Sequence, residues 1–393
     1  MTFVPDNATG LLDEFGSPLY VYDAARIEQA LRHFQQAFPY EPLASYYAIV
    51  CNKNRYIARL LSDLGVGVHA NTPGDAFAAL RAGVPRESIQ YSGTNLSSAD
   101  IDWLIEHGIH HVNLDSLDQL RDWSARRPAA GIGLRLLVDD EKSANRIGVT
   151  ATELEPALDI CRHTGTRLTG LHMYAGTNTL RAGRFLQCLD RLLACAARLP
   201  DLEYIDLGGG FGVAYDTRSD GLALAGLGRE VVSRMERLSD ARGRRIALLI
   251  EPGRILVADA GSLLMTVVSV KERGGRRYVG VDTTVGNIVV ESVYHAFHQI
   301  VPAAPKGAVL PIPTDVCGNT THSRDFIARS ASLPELHPGD VLVLGDVGAY
   351  GYAMSSHFLN RPRPAEVVVH NGVVHLTTRR ETFDDLLATQ VMP

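Results

Sequence analysis

Two short motifs in the second half of the chain carry groups suited to a dianion and to an aromatic nitrogen base. Leu207-Gly208-Gly209-Gly210-Phe211-Gly212 follows one apolar stretch, and Glu251-Pro252-Gly253-Arg254 follows the next. Three successive residues without side chains expose backbone N–H groups that suit phosphate oxygens, and an arginine adds a bidentate fork. A carboxylate beside such a clamp keeps a pyridine nitrogen protonated and its ring an electron sink, the combination that pyridoxal phosphate requires. Alone, a glycine run reads as a tight turn and Pro-Gly-Arg as a loop. Their order, each directly after an apolar run, is what gives them weight.

The elements needed to hold these motifs are legible as alternation. Strand-like apolar runs at 44–50, 65–69, 89–92, 110–114, 133–138, 168–174, 204–207 and 246–250 alternate with helical patterns, among them 56–64, 74–82, 98–107 and 185–199. Eight βα units in series predict an α/β (β/α)8 TIM barrel over 19–261. The glycine run then ends strand seven and Glu251 to Arg254 end strand eight, where barrels commonly hold phosphate. Beyond residue 261 the pattern predicts a C-terminal β domain over 262–393. Its strands are expected at 263–270, 277–281, 309–312, 340–344 and 366–370, with turns at Gly274-Gly275 and Asn371-Gly372. Residues 1–18 are expected to pack with that β domain.

Composition narrows the partners. The chain has 393 residues and a formal charge of −6, which gives no electrostatic footprint for nucleic acid or an anionic membrane. A small-molecule or protein partner is therefore expected. No stretch reaches the roughly 18 apolar residues of a membrane span and no signal-peptide pattern opens the chain, so a cytoplasmic location is expected. Five scattered cysteines without a CxxC pair predict neither a disulfide framework nor a metal site. Only four lysines occur: Lys53, Lys142, Lys271 and Lys306.

With both motifs in this order, the chain resembles the fold-type III pyridoxal-phosphate decarboxylases of diaminopimelate, ornithine and arginine, whose barrel is alanine racemase-like. The resemblance spans nearly the whole length. It extends to Pro18-Leu19-Tyr20-Val21-Tyr22, Ser92-Gly93, Ser143 to Gly148, Gly348-Ala349-Tyr350-Gly351, Ser355-Ser356 and Asn360 to Glu366. It implies pyridoxal 5'-phosphate as cofactor, with Gly208, Gly209, Gly210, Gly253 and Arg254 around its phosphate and Tyr350 donating a hydroxyl. Glu251 would pair with the ring nitrogen, and Thr177 would stand where the family has a serine. The resemblance also implies a homodimer in which a loop over 321–325 completes the partner's site.

The catalytic positions depart from the pattern. The family's Tyr-Ala-x-Lys-x-Asn, whose lysine forms the Schiff base, reads Tyr47-Ala48-Ile49-Val50-Cys51-Asn52 here, so Val50 replaces the lysine. Tyr174 replaces the ring-stacking histidine two residues after His172. Thr321-His322-Ser323-Arg324-Asp325 lacks the cysteine of the partner loop. Valine can neither exchange imines nor return protons. Three readings stay open: Lys53 substitutes; Tyr174, His69, His172 and His322 share acid–base duties around a non-covalent cofactor; or the chain is a non-catalytic binding or regulatory homologue. Val50 as an introduced substitution is a fourth. The segment that reads the distal substrate group is Val290-Glu291-Ser292-Val293-Tyr294-His295, without the diaminopimelate-type arginine. Glu291, Tyr294, His295 and Asp325 are the candidate substrate contacts. The expected reaction is decarboxylation, or related carbanion chemistry, of a specialised amino acid, modified or carrier-linked.

Overall fold

The computed structural model describes residues 2–127, 131–138, 145–216, 219–289 and 296–392. The chain starts with helix α1 (Ala8–Phe15), strand β1 (Leu19–Asp23) and helix α2 (Ala24–Gln36). Eight parallel strands then close into a barrel: β2 (Leu43–Ala48), β3 (Gly67–Ala70), β4 (Ile89–Tyr91), β5 (His111–Leu114), β6 (Gly131–Arg135), β7 (Arg167–His172), β8 (Tyr204–Asp206) and β9 (Ala247–Ile250). Closure is made by β9 against β2, with Leu43 opposite Leu248. The eight βα units expected from the alternation are the eight observed.

Side-chain caps start the helices that follow β2, β3 and β4. Asn54 accepts the Tyr56 N–H at the start of α3 (Arg55–Asp63), Thr72 accepts the Asp75 N–H at the start of α4 (Pro73–Arg81), and Ser97 forms a capping box with Asp100 at α5 (Ser98–Glu106). These caps fix where each strand-end loop hands over to its helix.

The barrel axis is not filled by aliphatic residues alone. Asn113, Gln90, Tyr204 and Asp206 are buried strand residues inside it, and three strand glycines clear space for aromatic and amide groups. A Cβ on Gly170 would lie 1.9 Å from Cζ of Tyr204, and one on Gly133 would lie 2.1 Å from Oδ1 of Asn113 and 2.2 Å from the Tyr204 hydroxyl. On Gly67 it would meet the Tyr46 ring at 2.6 Å. Glycine weakens a strand, so its presence here marks a close approach that nothing larger permits.

A second compact unit comprises Met1–Gln29, Ala214–Ser219 and Leu256–Pro393; the barrel unit is Ala30–Val213 with Asp220–Ile255. The former is a mostly antiparallel sheet built from β10 (Gly261–Arg273), β11 (Arg276–Val281), β12 (Ile300–Pro302), β13 (Thr314–Cys317), β14 (Phe326–Ala331), β15 (Val341–Leu344), β16 (Ala365–His370) and β17 (Val373–Thr378). Strand β1 lies within this sheet, antiparallel to β10 and parallel to β16, although 19–261 was expected to form the barrel. Leu19 to Tyr22 are fully buried, as a central strand with both faces covered must be, and a continuous apolar run does not say which sheet takes it. Leu11 and Leu12 of α1 join Leu19, Val21, Leu264, Val343 and Val367 in one core. The strand expected at 309–312 is instead β13, a few residues later, because Pro311 and Pro313 remove ladder donors; Val309 keeps a single bridge to Pro334.

The fit between Gly170 and Tyr204 makes a direct prediction. Gly170→Ala should destabilise the chain by about 1–3 kcal/mol through overpacking, read as a lower denaturant midpoint at unchanged slope. An unchanged midpoint would show that the ring does not fill that space.

Candidate functional site

The glycine run sits directly after β8, folded against the turn after β9. Gly208 and Gly210 have φ of +67° and +92°, a backbone that side chains disfavour. Space is refused as well: a Cβ would lie 2.0 Å from the Met173 carbonyl at Gly208, 2.7 Å from the Glu251 carbonyl at Gly209 and 2.1 Å from the Gly176 carbonyl at Gly210. The Glu251 N–H donates to the Gly208 carbonyl at 3.0 Å, which ties the two motifs together. The Gly208 N–H is already given to Asp206 Oδ1 at 2.9 Å, leaving the N–H groups of Gly209 and Gly210 for an anion. On the other side, Ala48 at the end of β2 donates its N–H to Pro252 at 3.1 Å, and a Cβ on Gly253 would lie 3.0 Å from the Ala48 Cβ. Arg254 follows at once, half-buried.

Beside this cradle lies a buried cluster of ionisable groups. Glu251 is buried, with Nε2 of His172 and Nε2 of His69 each 3.4 Å from its carboxylate. Oε1 of Glu251 and Nδ1 of both histidines have no hydrogen-bond partner among the described residues. Burial pushes both imidazoles down to about 4, so at neutral pH they are neutral groups and not cations paired with Glu251. Burial also raises Glu251, against the pull of His69 and Arg135. Asp206 is pushed up to about 7, first by burial and then by the charge of Glu251. Arg135, at the end of β6, places its guanidinium 5.3 Å from the centre of the Tyr174 ring.

The remaining expected residues fall as follows. The Tyr174 hydroxyl is 2.8 Å from Oγ1 of Thr177, in the turn after β7. Val50 is half-buried in the one-turn 3₁₀ helix Ile49–Cys51. Lys53 has a side chain 53% exposed, its Nζ 4.0 Å from the buried Asp75 carboxylate. Tyr350, His322 and Asp325 belong to the sheet unit. Tyr350 has φ of +59°. The His322 ring packs edge-on against Phe358, and its Nδ1 accepts the Arg324 N–H. Asp325 is buried and accepts from the Val285 N–H at 2.7 Å, the Thr320 N–H at 3.0 Å and the hydroxyls of Thr284 and Thr320, so its carboxylate staples the loop it ends. Glu291, Tyr294 and His295 lie outside the described residues.

Asp206 and Arg135 belong to the cluster and escaped the sequence reading. A polar or charged residue in a parallel strand buried on both faces is a signal in itself, and Gln90, Asn113 and Asp206 each interrupt an apolar run in that way.

The cradle and the cluster fit a phosphorylated pyridine. The glycines bring backbone together where no Cβ fits, and the buried Glu251 presents an unpartnered oxygen. The model of the pyridoxal-dependent decarboxylase, pyridoxal-binding domain matches residues 24–258. The diaminopimelate decarboxylase of Methanothermobacter thermautotrophicus is 32% identical over 98% of this chain and 94% of its own length; that of Aquifex aeolicus is 28% identical over 95% and 91%. Among solved structures, the diaminopimelate decarboxylase of M. jannaschii in co-complex with L-lysine covers all of this chain and 98% of its own, at TM-score 0.92 and 25% identity. The Helicobacter pylori enzyme complexed with L-lysine gives 0.89 and 27%, covering 97% of this chain and 98% of its own. No helix among the described residues is long and apolar enough to cross a membrane.

Two expectations follow from this geometry. Gly210→Ala should weaken pyridoxal phosphate binding tenfold or more in a fluorescence titration; unchanged affinity would place the phosphate elsewhere. The buried histidines bind protons less readily folded, at about 4, than in an unfolded chain at 6.5. The stability they contribute is therefore complete above pH 6.5 and is lost as pH falls toward 4. In His172→Gln the proton uptake on unfolding near pH 5 should drop by about one, measured from the pH dependence of the unfolding free energy.

Proposed function

The chain belongs to the pyridoxal-dependent decarboxylases, and on that premise we propose that it removes the α-carboxylate of an amino acid or amino-acid derivative while holding pyridoxal 5'-phosphate without a covalent lysine. The observation that carries this reading is the buried Glu251, with a free oxygen, fixed by hydrogen bonding to a glycine cradle that tolerates no side chain. Bound there, the cofactor supplies an electron sink for the pair left on the α-carbon as carbon dioxide departs.

The rest falls to the chain's own residues. Gly209, Gly210 and Arg254 hold the phosphate, with Tyr350 as a further donor, and Glu251 accepts from the ring nitrogen. Tyr174 takes the ring-covering place of the family histidine, held by Thr177 and backed by the Arg135 cation. Its hydroxyl, aided by His172, returns a proton to the α-carbon. Lys53 stays with Asp75. Without a resident amine to displace product, release is slow.

The relatives that bind L-lysine support an amino acid as the ligand class. Glu291, Tyr294 and His295 replace the arginine-containing segment, which supports a distal group other than a carboxylate, on a specialised or carrier-linked amino acid. The proposal includes a homodimer in which the loop around His322, shaped by Asp325, completes the partner's site.

Borohydride reduction of the cofactor-loaded protein, followed by peptide mass spectrometry, tests the non-covalent arrangement. The native chain should retain cofactor with no phosphopyridoxyl-lysine, and Val50→Lys should acquire one at position 50. A stoichiometric adduct on Lys53 would sink the non-covalent arrangement. Absence of carbon dioxide release from any carboxyl-labelled amino acid by fully loaded protein would sink the decarboxylase reading.

A further inference from the structure

Asp206 is completely buried at the end of β8 and has no place in the cofactor contacts above. Its Oδ1 accepts the Gly208 N–H at 2.9 Å. Its Oδ2 accepts from Nδ2 of Asn113 at 3.2 Å and from Nε2 of Gln90. Asn113 is oriented in turn by the Tyr204 hydroxyl, which donates to its Oδ1 at 2.8 Å, in the space that Gly133 and Gly170 clear. Polar atoms of His172, Asp206 and Glu251 lie within 4.8 Å of one another.

Two buried carboxylates this close cannot both be charged cheaply, so the pair keeps one proton. The surroundings decide where it resides. Nε2 of His69 on β3 and of His172 on β7 each lie 3.4 Å from the Glu251 carboxylate, His172 also nearing Asp206, and the Arg135 cation on β6 favours the Glu251 anion. The phenols of Tyr46 on β2 and Tyr204 on β8 also face the pair, and burial keeps both protonated. A protonated Asp206 leaves no group in its own shell unmatched: one O–H to give to Glu251, and lone pairs for the three N–H donors it already receives.

We propose that Asp206 is a positioning residue that carries the pair's proton and donates it in a hydrogen bond to Glu251, fixing Glu251 as the anion that meets the cofactor's ring nitrogen. The proposal rests on the reading of Glu251 as that nitrogen's partner. No proton is gained or lost when the ring arrives: Asp206 keeps its own, and Glu251 accepts the hydrogen bond of the ring N–H.

Infrared spectroscopy of the cofactor-free protein near pH 6 tests this without relying on turnover. A protonated carboxyl C=O band should be present, should shift on 13C-aspartate labelling, and should lose intensity in Asp206→Asn. A band that shifts with 13C-glutamate and vanishes in Glu251→Gln, or the lack of any Asp206-dependent band, overturns the proposal. With pyridoxal phosphate bound, Asp206→Asn, whose amide N–H replaces the O–H, should hold cofactor within about threefold of native and keep the protonated-ring 15N resonance. Asp206→Leu should lose that resonance and bind tenfold or more weakly. Equal loss in both variants would assign Asp206 a structural role only. Unchanged cofactor affinity in Glu251→Gln would overturn the cofactor reading and leave the infrared result standing.

Discussion

Burial of negative charge at one end of a closed parallel barrel is the constraint on which the rest of this molecule depends. Glu251 lies out of water beside a second carboxylate, and burial works against its charge. The low dielectric that would make its hydrogen bond to a ring nitrogen strong also raises the cost of the charge, so neighbours on six strands surround it. Arg135, His69, His172 and Asp206 belong to that surround, and Gln90, Asn113 and Tyr204 extend it down the axis. The strand glycines are a further consequence, since an axis carrying amides and phenols needs room that branched side chains would occupy.

Much of this architecture was legible in the sequence because the period of a βα unit is strong and the two motifs end neighbouring strands. The eight barrel strands came from alternation alone. Strand β1 did not, because an apolar run buried on both faces looks the same in a barrel and in a sheet, and its partners β10 and β16 lie far along the chain. The joining of the glycine run to the Glu251 turn was readable because each motif directly follows an apolar run, whereas a glycine run alone reads as a tight turn. Asp206 and Arg135 were not read, although a charged residue in a fully buried strand is costly enough to require an explanation. The Asp325 carboxylate looked like a substrate contact in sequence; four donors from its own surroundings show how fully a loop can occupy such a group.

Valine at position 50 changes the balance of the site more than its position. The 3₁₀ turn around it is held by the Asn52 N–H bonded to the Ile49 carbonyl, and its neighbour Cys51 is buried against Tyr47 and Gly253. Burial pushes the Cys51 thiol up to about 12, so the residue beside the missing amine is no nucleophile in its place.

The bond from Glu251 N–H to the Gly208 carbonyl has one more consequence. It joins the end that would grip a phosphate to the end that would meet a ring nitrogen by a single backbone contact, with the Gly209 backbone pressed against the Glu251 carbonyl. Neither end can shift alone. A ligand engaging both ends would have to match a span set by backbone alone, with no additional side chain needed to gauge its length.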